Sequence, residues 1–107
     1  MSPVEPPEHQ AILKTVLAPL LDDFLYWFGR SLTALEKEPL PFMDQAAQGD
    51  LINRVRQAQA EVGAAKSLFF ATDGHAGIDL EIVTVWHRLV GECWRVAQQR
   101  RQYEADQ

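Results

Sequence analysis

The chain of 107 residues is the length of one domain and can bury a core without disulfide or metal staples. Its 47% hydrophobic and 23% charged residues match an ordinary soluble globular protein, and a formal net charge of -5 excludes the basic stripe on which nucleic-acid affinity rests. The single cysteine, Cys93, excludes an internal disulfide and falls on an apolar helical seam, so it reads as a small core residue.

Residues 1–7 carry Pro3, Pro6 and Pro7 and predict a flexible or extended leader, with one helical domain over residues 8–107. The start lacks the basic segment and apolar run of a signal peptide. The longest apolar candidate, Val16 to Phe28, is broken by Asp22 and Asp23 and falls short of the roughly 20 residues that span a bilayer. A cytoplasmic protein is expected, with no membrane insertion.

The first helical block is expected from about Glu8 to Glu38. Its apolar residues (Ile12, Leu13, Val16, Leu17, Leu20, Leu21, Phe24, Leu25, Trp27, Phe28, Leu32, Leu35) cover more than one stripe, and its polar side is narrow. A helix so broadly apolar has to be covered on both flanks, by two helices of its own chain or by another subunit. Pro19 lies within the pattern and has no N–H for the preceding turn. The apolar phase continues across it, which predicts a kinked helix instead of two.

Pro39-Leu40-Pro41 ends the block, because each proline disfavours helical geometry in the residue before it. Asp44 or Asp50 is placed to cap a second helix that runs to about Thr72. Its seam, Leu51, Val55, Ala58, Val62, Ala65 and Phe69, advances in alternating steps of four and three residues, the spacing that keeps one edge toward a partner helix. Gly74 is suited to the left-handed conformation that closes a helix. Asp79 caps a third helix to about Tyr103, with Glu81 in its first turn. The seam there is Ile82, Trp86, Leu89, Cys93 and Val96, then Tyr103.

Gly29, Gly63 and Gly91 sit inside these patterns, each at a cost of roughly 1 kcal/mol against alanine. They predict either close helix crossings and kinks or simple tolerance. The expected fold is all-α, an elongated antiparallel three-helix bundle with the first helix kinked at Pro19.

Four stretches resemble a family of short, uncharacterised all-helical cyanobacterial proteins, a domain of unknown function. They are Leu20-Leu21-Asp22-Asp23-Phe24-Leu25-Tyr26-Trp27-Phe28, Arg54-Val55-Arg56-Gln57-Ala58-Gln59-Ala60-Glu61-Val62, Phe70-Ala71-Thr72-Asp73-Gly74-His75-Ala76-Gly77 and Trp86-His87-Arg88-Leu89-Val90-Gly91-Glu92-Cys93-Trp94. The resemblance implies a cyanobacterial cytosolic setting and supplies no catalytic residues.

No nucleophile elbow, phosphate-cradling loop or helical Glu-x-x-His pair is present, so no enzyme, metal or cofactor is expected. Asp22 and Asp23 are adjacent and point about 100° apart on a helix, which suits a solvated strip better than a shared metal or an acid–base pair. The aromatic set admits a core reading and a contact reading, since Trp and Tyr are enriched in binding hot spots. Phe24, Trp27, Phe28 and Trp94 are candidates for a partner-binding surface, Trp27 and Trp94 foremost because they lie at stripe edges. Asp73 and His75 in the 73–77 loop are further contact candidates, as are Arg95 and the arginines after it, Arg100 and Arg101. The expected function is a non-catalytic protein–protein interaction or assembly module that forms a homo-oligomer through apolar helix faces. Two alternatives stand beside it. One is a small-molecule or tetrapyrrole carrier using Trp86 and His87. The other is a metal-dependent enzyme centred on Asp73 and His75.

Overall fold

A computed structural model describes residues 7–75 and 77–107, with side chains from Thr15 onward except at residue 76. The leader expected over residues 1–7 lies, apart from Pro7, outside the described residues. Among the described residues there are three helices: α1 (Pro7–Lys37), α2 (Gln45–Ala71) and α3 (Leu80–Ala105). Among the described residues there is no strand.

Each boundary has a local cause. Pro7 is the first described residue of α1, and proline is tolerated in the first turn of a helix, where a missing N–H costs nothing. The helix then runs through Pro19 without ending, so the first block is one helix. Asp44, not Asp50, caps α2: its carboxylate accepts from the amides of Ala46 at 2.7 Å and Ala47 at 3.3 Å. Asp79 caps α3 by accepting from Glu81 at 2.9 Å.

The end of α2 corrects the sequence reading in one detail. The Gly74 N–H reaches back to the Phe69 carbonyl at 2.7 Å and the Asp73 N–H to that of Phe70 at 3.1 Å, the paired bonds of a Schellman turn. Gly74 does take positive φ, at 81°, but so does Asp73, at 52°, in the position usually given to glycine. Aspartate tolerates that region better than most residues.

The helices alternate in direction. Along α1 and α2, Asp22 pairs with Lys66, Gly29 lies beside Gln59, and Glu36 pairs with Arg56 at 2.8 Å, so one numbering rises as the other falls. Between α2 and α3, Arg54 meets Glu92. The rod measures 62 × 22 × 21 Å. Its radius of gyration, 17.2 Å, exceeds the about 13 Å of a compact chain of this length.

The core takes Leu21, Phe24, Phe28, Leu32 and Leu35 from α1, Leu51, Val55, Ala58, Val62 and Phe69 from α2, and Trp86, Leu89, Val90 and Cys93 from α3. Five of the six seam positions expected for α2 are buried, and Ala65 packs at the edge. The broad apolar face of α1 is covered on both flanks by helices of its own chain. The backbones of α1 and α2 approach closely, whereas α3 stands off and meets α1 through large side chains. Phe24 meets Trp86 edge-on at 5.6 Å, and Trp27 meets Trp94 in the same way at 5.4 Å.

The interior glycines do not create close crossings. A methyl group at Gly63 would meet nothing within 4 Å, and at Gly29 or Gly91 its nearest neighbour would be a side-chain nitrogen at 3.7 Å, an ordinary contact. The close-crossing reading of these glycines is therefore set aside.

One buried polar residue organises the turn between α1 and α2. Gln48 is 7% exposed. Its amide donates to the carbonyls of Leu35 at 2.8 Å and Glu38 at 3.0 Å, and its carbonyl accepts from the Leu40 amide at 2.9 Å. The partner that a helix would give Leu35 is the residue four places on, which is Pro39 and has no N–H. Gln48 supplies that donor. It lies three residues before Leu51, on the backward extension of the α2 seam, and that spacing is the signal by which its burial is readable.

The two ends of the rod differ. Ala71 closes α2 at about the level of Leu17 in the α1 register, and Leu80 opens α3 at about the level of Ala18. The first ten or so residues of α1, about 15 Å of helix, therefore project beyond both neighbours.

Candidate partner-binding groove

Because α3 stands away from the close α1–α2 pair, a groove opens on each side of it. The groove between α1 and α3 has a volume of about 310 Å³. Its floor is apolar, built from Ala34 and Leu35 of α1, Leu40 of the connection, and Cys93, Val96 and Ala97 of α3. Trp27 and Trp94 stand at one end with Arg30, and Arg100, Arg101 and Glu104 line the other.

The sequence candidates divide sharply in space. Trp94 is 50% exposed and Trp27 is half-buried against it, so both reach the groove as expected. Phe24 and Phe28 do not. They are 3% and 0% exposed and pack on each other at 6.0 Å inside the core, so as contact residues they are corrected to core residues. The reason is the helix phase: α3 covers that flank of α1 and leaves Trp27 at its rim. Arg95 is exposed beside Trp94 but lies outside the groove lining, with its guanidinium folded near Gly91.

Asp73 and His75 lie at the far end of the rod in the turn that closes α2, and the His75 N–H donates to the Thr72 carbonyl at 3.1 Å. Among the described residues no three His, Cys, Asp or Glu side chains gather to hold a metal ion. The Trp86 and His87 pair does not form a pocket. Trp86 is 2% exposed under Phe24, and its indole N–H has no hydrogen-bond partner among the described residues. His87, one residue on and about 100° around the helix, faces solvent. Neither groove beside α3 includes either residue.

Arg30 and Ser31 belong to the groove and were not singled out by the sequence. Arg30 lies three residues after Trp27, hence on the same face, and that spacing is the signal. Its guanidinium sits 5.9 Å from the Trp27 ring and donates to the Tyr26 hydroxyl at 3.1 Å. Arg100 is engaged by Glu38 at 3.0 Å and Glu104 at 3.2 Å. Arg30 and Arg101 make no ion pair among the described residues. Burial pushes the Cys93 thiol above its ordinary pKa, against the opposing effect of a hydrogen bond with Ser31, so it is a poor thiolate nucleophile.

The second groove, about 350 Å³ between α2 and α3, is spanned by the Arg54–Glu92 pair. Arg54 donates to both Glu92 oxygens at 2.8 Å and to Asp50 at 2.8 Å. These bonds hold the Glu92 carboxyl below the ordinary glutamate value of 4.5 and raise the Arg54 pKa. A depressed carboxylate pKa contributes stability that is present above the unfolded value and is lost as pH falls through the folded one. The pair is partly exposed, so its contribution is below about 1 kcal/mol. Thermal melts are expected to show the wild type losing stability from pH 4.5 downward more steeply than Glu92→Gln. Parallel slopes would remove the pair from the account.

Residues 7–102 match a family described as "Protein of unknown function (DUF2605)". The chain belongs to this family. The match covers α1 and α2 whole and α3 to within its last turn, so all of the groove lining except Glu104, including both of its aromatic residues, lies inside the shared region. No curated protein and no solved structure matches the chain. No helix among the described residues is long and apolar enough to cross a membrane.

Proposed function

We propose that this protein is a non-catalytic interaction and assembly module whose contact face is the open side between α1 and α3. The observation that carries the reading is Trp94. A half-exposed indole at the mouth of an apolar groove is the kind of anchor on which binding energy concentrates. The chemistry around it supports binding over catalysis, since the one thiol in the groove is buried and raised in pKa. On this reading the module works in the cytoplasm of a cyanobacterial cell, the setting that the resemblance noted in the sequence implies.

The decisive experiment is affinity capture from native extract with three variants. A partner retained by the wild type should be lost with Trp94→Ala and with Ala97→Trp, which fills the groove. It should be kept with Asn53→Ala, an exposed change on α2 outside the groove lining. Equal retention by all three would refute the groove as the contact face.

Self-association draws on a different surface. The projecting start of α1 carries the apolar sequence positions Ile12, Leu13 and Val16 beyond the ends of α2 and α3, and Val16 is 57% exposed. A lone helical extension of this length is unstable in water. We assign its cover to the same segment of a second copy. Sedimentation should give a dimer that Val16→Asp converts to a monomer with an unchanged helical spectrum. A wild-type chain that stays monomeric at high concentration would end this assignment.

A further inference from the structure

The α1–α3 groove is a channel between two helices, and its shape and charge constrain what can lie in it. The α3 wall runs from Cys93 to Glu104, about 16 Å or three helical turns. A channel of that length, with an apolar floor and near-parallel helical walls, matches an amphipathic helix that anchors through positions i, i+4 and i+7.

The charges are uneven in a way that selects the partner. Among the described residues Arg54, Arg56, Lys66 and Arg100 are ion-paired, whereas Arg30, Lys37, Arg88, Arg95 and Arg101 are not, and of these five only Arg30 and Arg101 line the groove. Arg30 and Arg101, at opposite ends of the groove, have no carboxylate partner among the described residues. The groove thus presents two available guanidiniums on a chain whose net charge is -5. A second copy paired groove to groove does not complement this rim. A two-fold pairing of the face would set Arg30 of one chain against either Arg30 or Arg101 of the other, and like charges across an interface are repulsive. Two guanidiniums are also far fewer phosphate contacts than nucleic-acid binding requires.

We infer that the groove receives an acidic amphipathic helix of a protein partner, about three turns long. Its apolar face covers the Trp27–Trp94 edge and the Ala97 floor, and Asp or Glu on its flanks meets Arg30 and Arg101. This rests on the groove being the contact face and adds the chemistry of the occupant.

The test uses two stapled helical peptides of equal length with the same leucine face, one with glutamate flanks and one with lysine flanks. Binding to the full chain is followed by fluorescence anisotropy. The glutamate peptide is expected to bind at least about tenfold tighter than the lysine peptide, to weaken with added salt, and to lose affinity in Trp94→Ala. In the doubly charge-reversed variant Arg30→Glu, Arg101→Glu, the preference should invert. Both arginines are solvent-exposed, so the variant should retain its fold, which its circular dichroism verifies. Lysine-peptide binding that is equal or tighter, and still lost in Trp94→Ala, would overturn the acidic partner while leaving the groove as a contact face. Failure of both peptides would overturn the helical occupant, whatever the capture experiment shows.

Discussion

Replacing Gln48 by leucine should cost about 2–4 kcal/mol and lower the melting temperature by about 10–15 °C. The side chain is nearly the same size, so the loss comes from hydrogen bonds and not from a cavity. Three bonds disappear together, two buried ones to Leu35 and Leu40 and a part-buried one to Glu38. Each is worth about 1 kcal/mol net, and stranding a buried backbone group adds to that. Pro39 aggravates the effect, because the Leu35 carbonyl cannot find its usual helical donor there. The first visible consequence should be loosening of the 38–44 connection, read as faster amide exchange at Leu40. A Gln48→Leu protein that melts within about 2 °C of wild type would show that the connection is held by other means.

The second large effect separates core from surface among the aromatics. Phe28→Ala should cost about 3–5 kcal/mol, because a fully buried ring is removed from between α1 and its neighbours. Against a typical total of about 5–15 kcal/mol, that leaves the fold marginal. Trp94→Ala should cost less, because half of its ring already faces solvent; its edge-on contact with Trp27 adds about 0.5–1.5 kcal/mol to the worth of the half that is buried. Denaturant melts of the two variants check this directly. The same Trp94 variant should nevertheless be the one that loses the partner. Comparable destabilisation by both substitutions would mean that Trp94 is a packing residue and would withdraw the anchor on which the groove reading stands.

Much of the architecture is written locally and can be read without coordinates. The caps at Asp44 and Asp79, the stop at Pro39-Leu40-Pro41 and the turn at Gly74 all depend on bonds between residues within five positions of each other. The alternating four- and three-residue seam of α2 identifies its buried edge for the same reason, since helical phase is a property of the chain alone. Even Gln48 lies on that phase; only its polar character conceals it.

What the sequence determined, then, is three helices, where each begins and ends, and which edge of α2 is inward. The tertiary structure alone decided how the broad apolar face of α1 is shared out. Periodicity leaves Phe24, Trp27 and Phe28 open as core or contact, with Trp27 favoured for contact only by its place at a stripe edge, and the distance at which α3 settles buries the two phenylalanines and leaves Trp27 and Trp94 at a rim. That Arg30 and Arg101 have no carboxylate partner among the described residues depends likewise on which carboxylates arrive from elsewhere, as Glu38 reaches Arg100 and Glu92 reaches Arg54. The physical reason is range. Helical hydrogen bonds join near neighbours along the chain, whereas grooves and ion pairs arise between residues that only packing brings together.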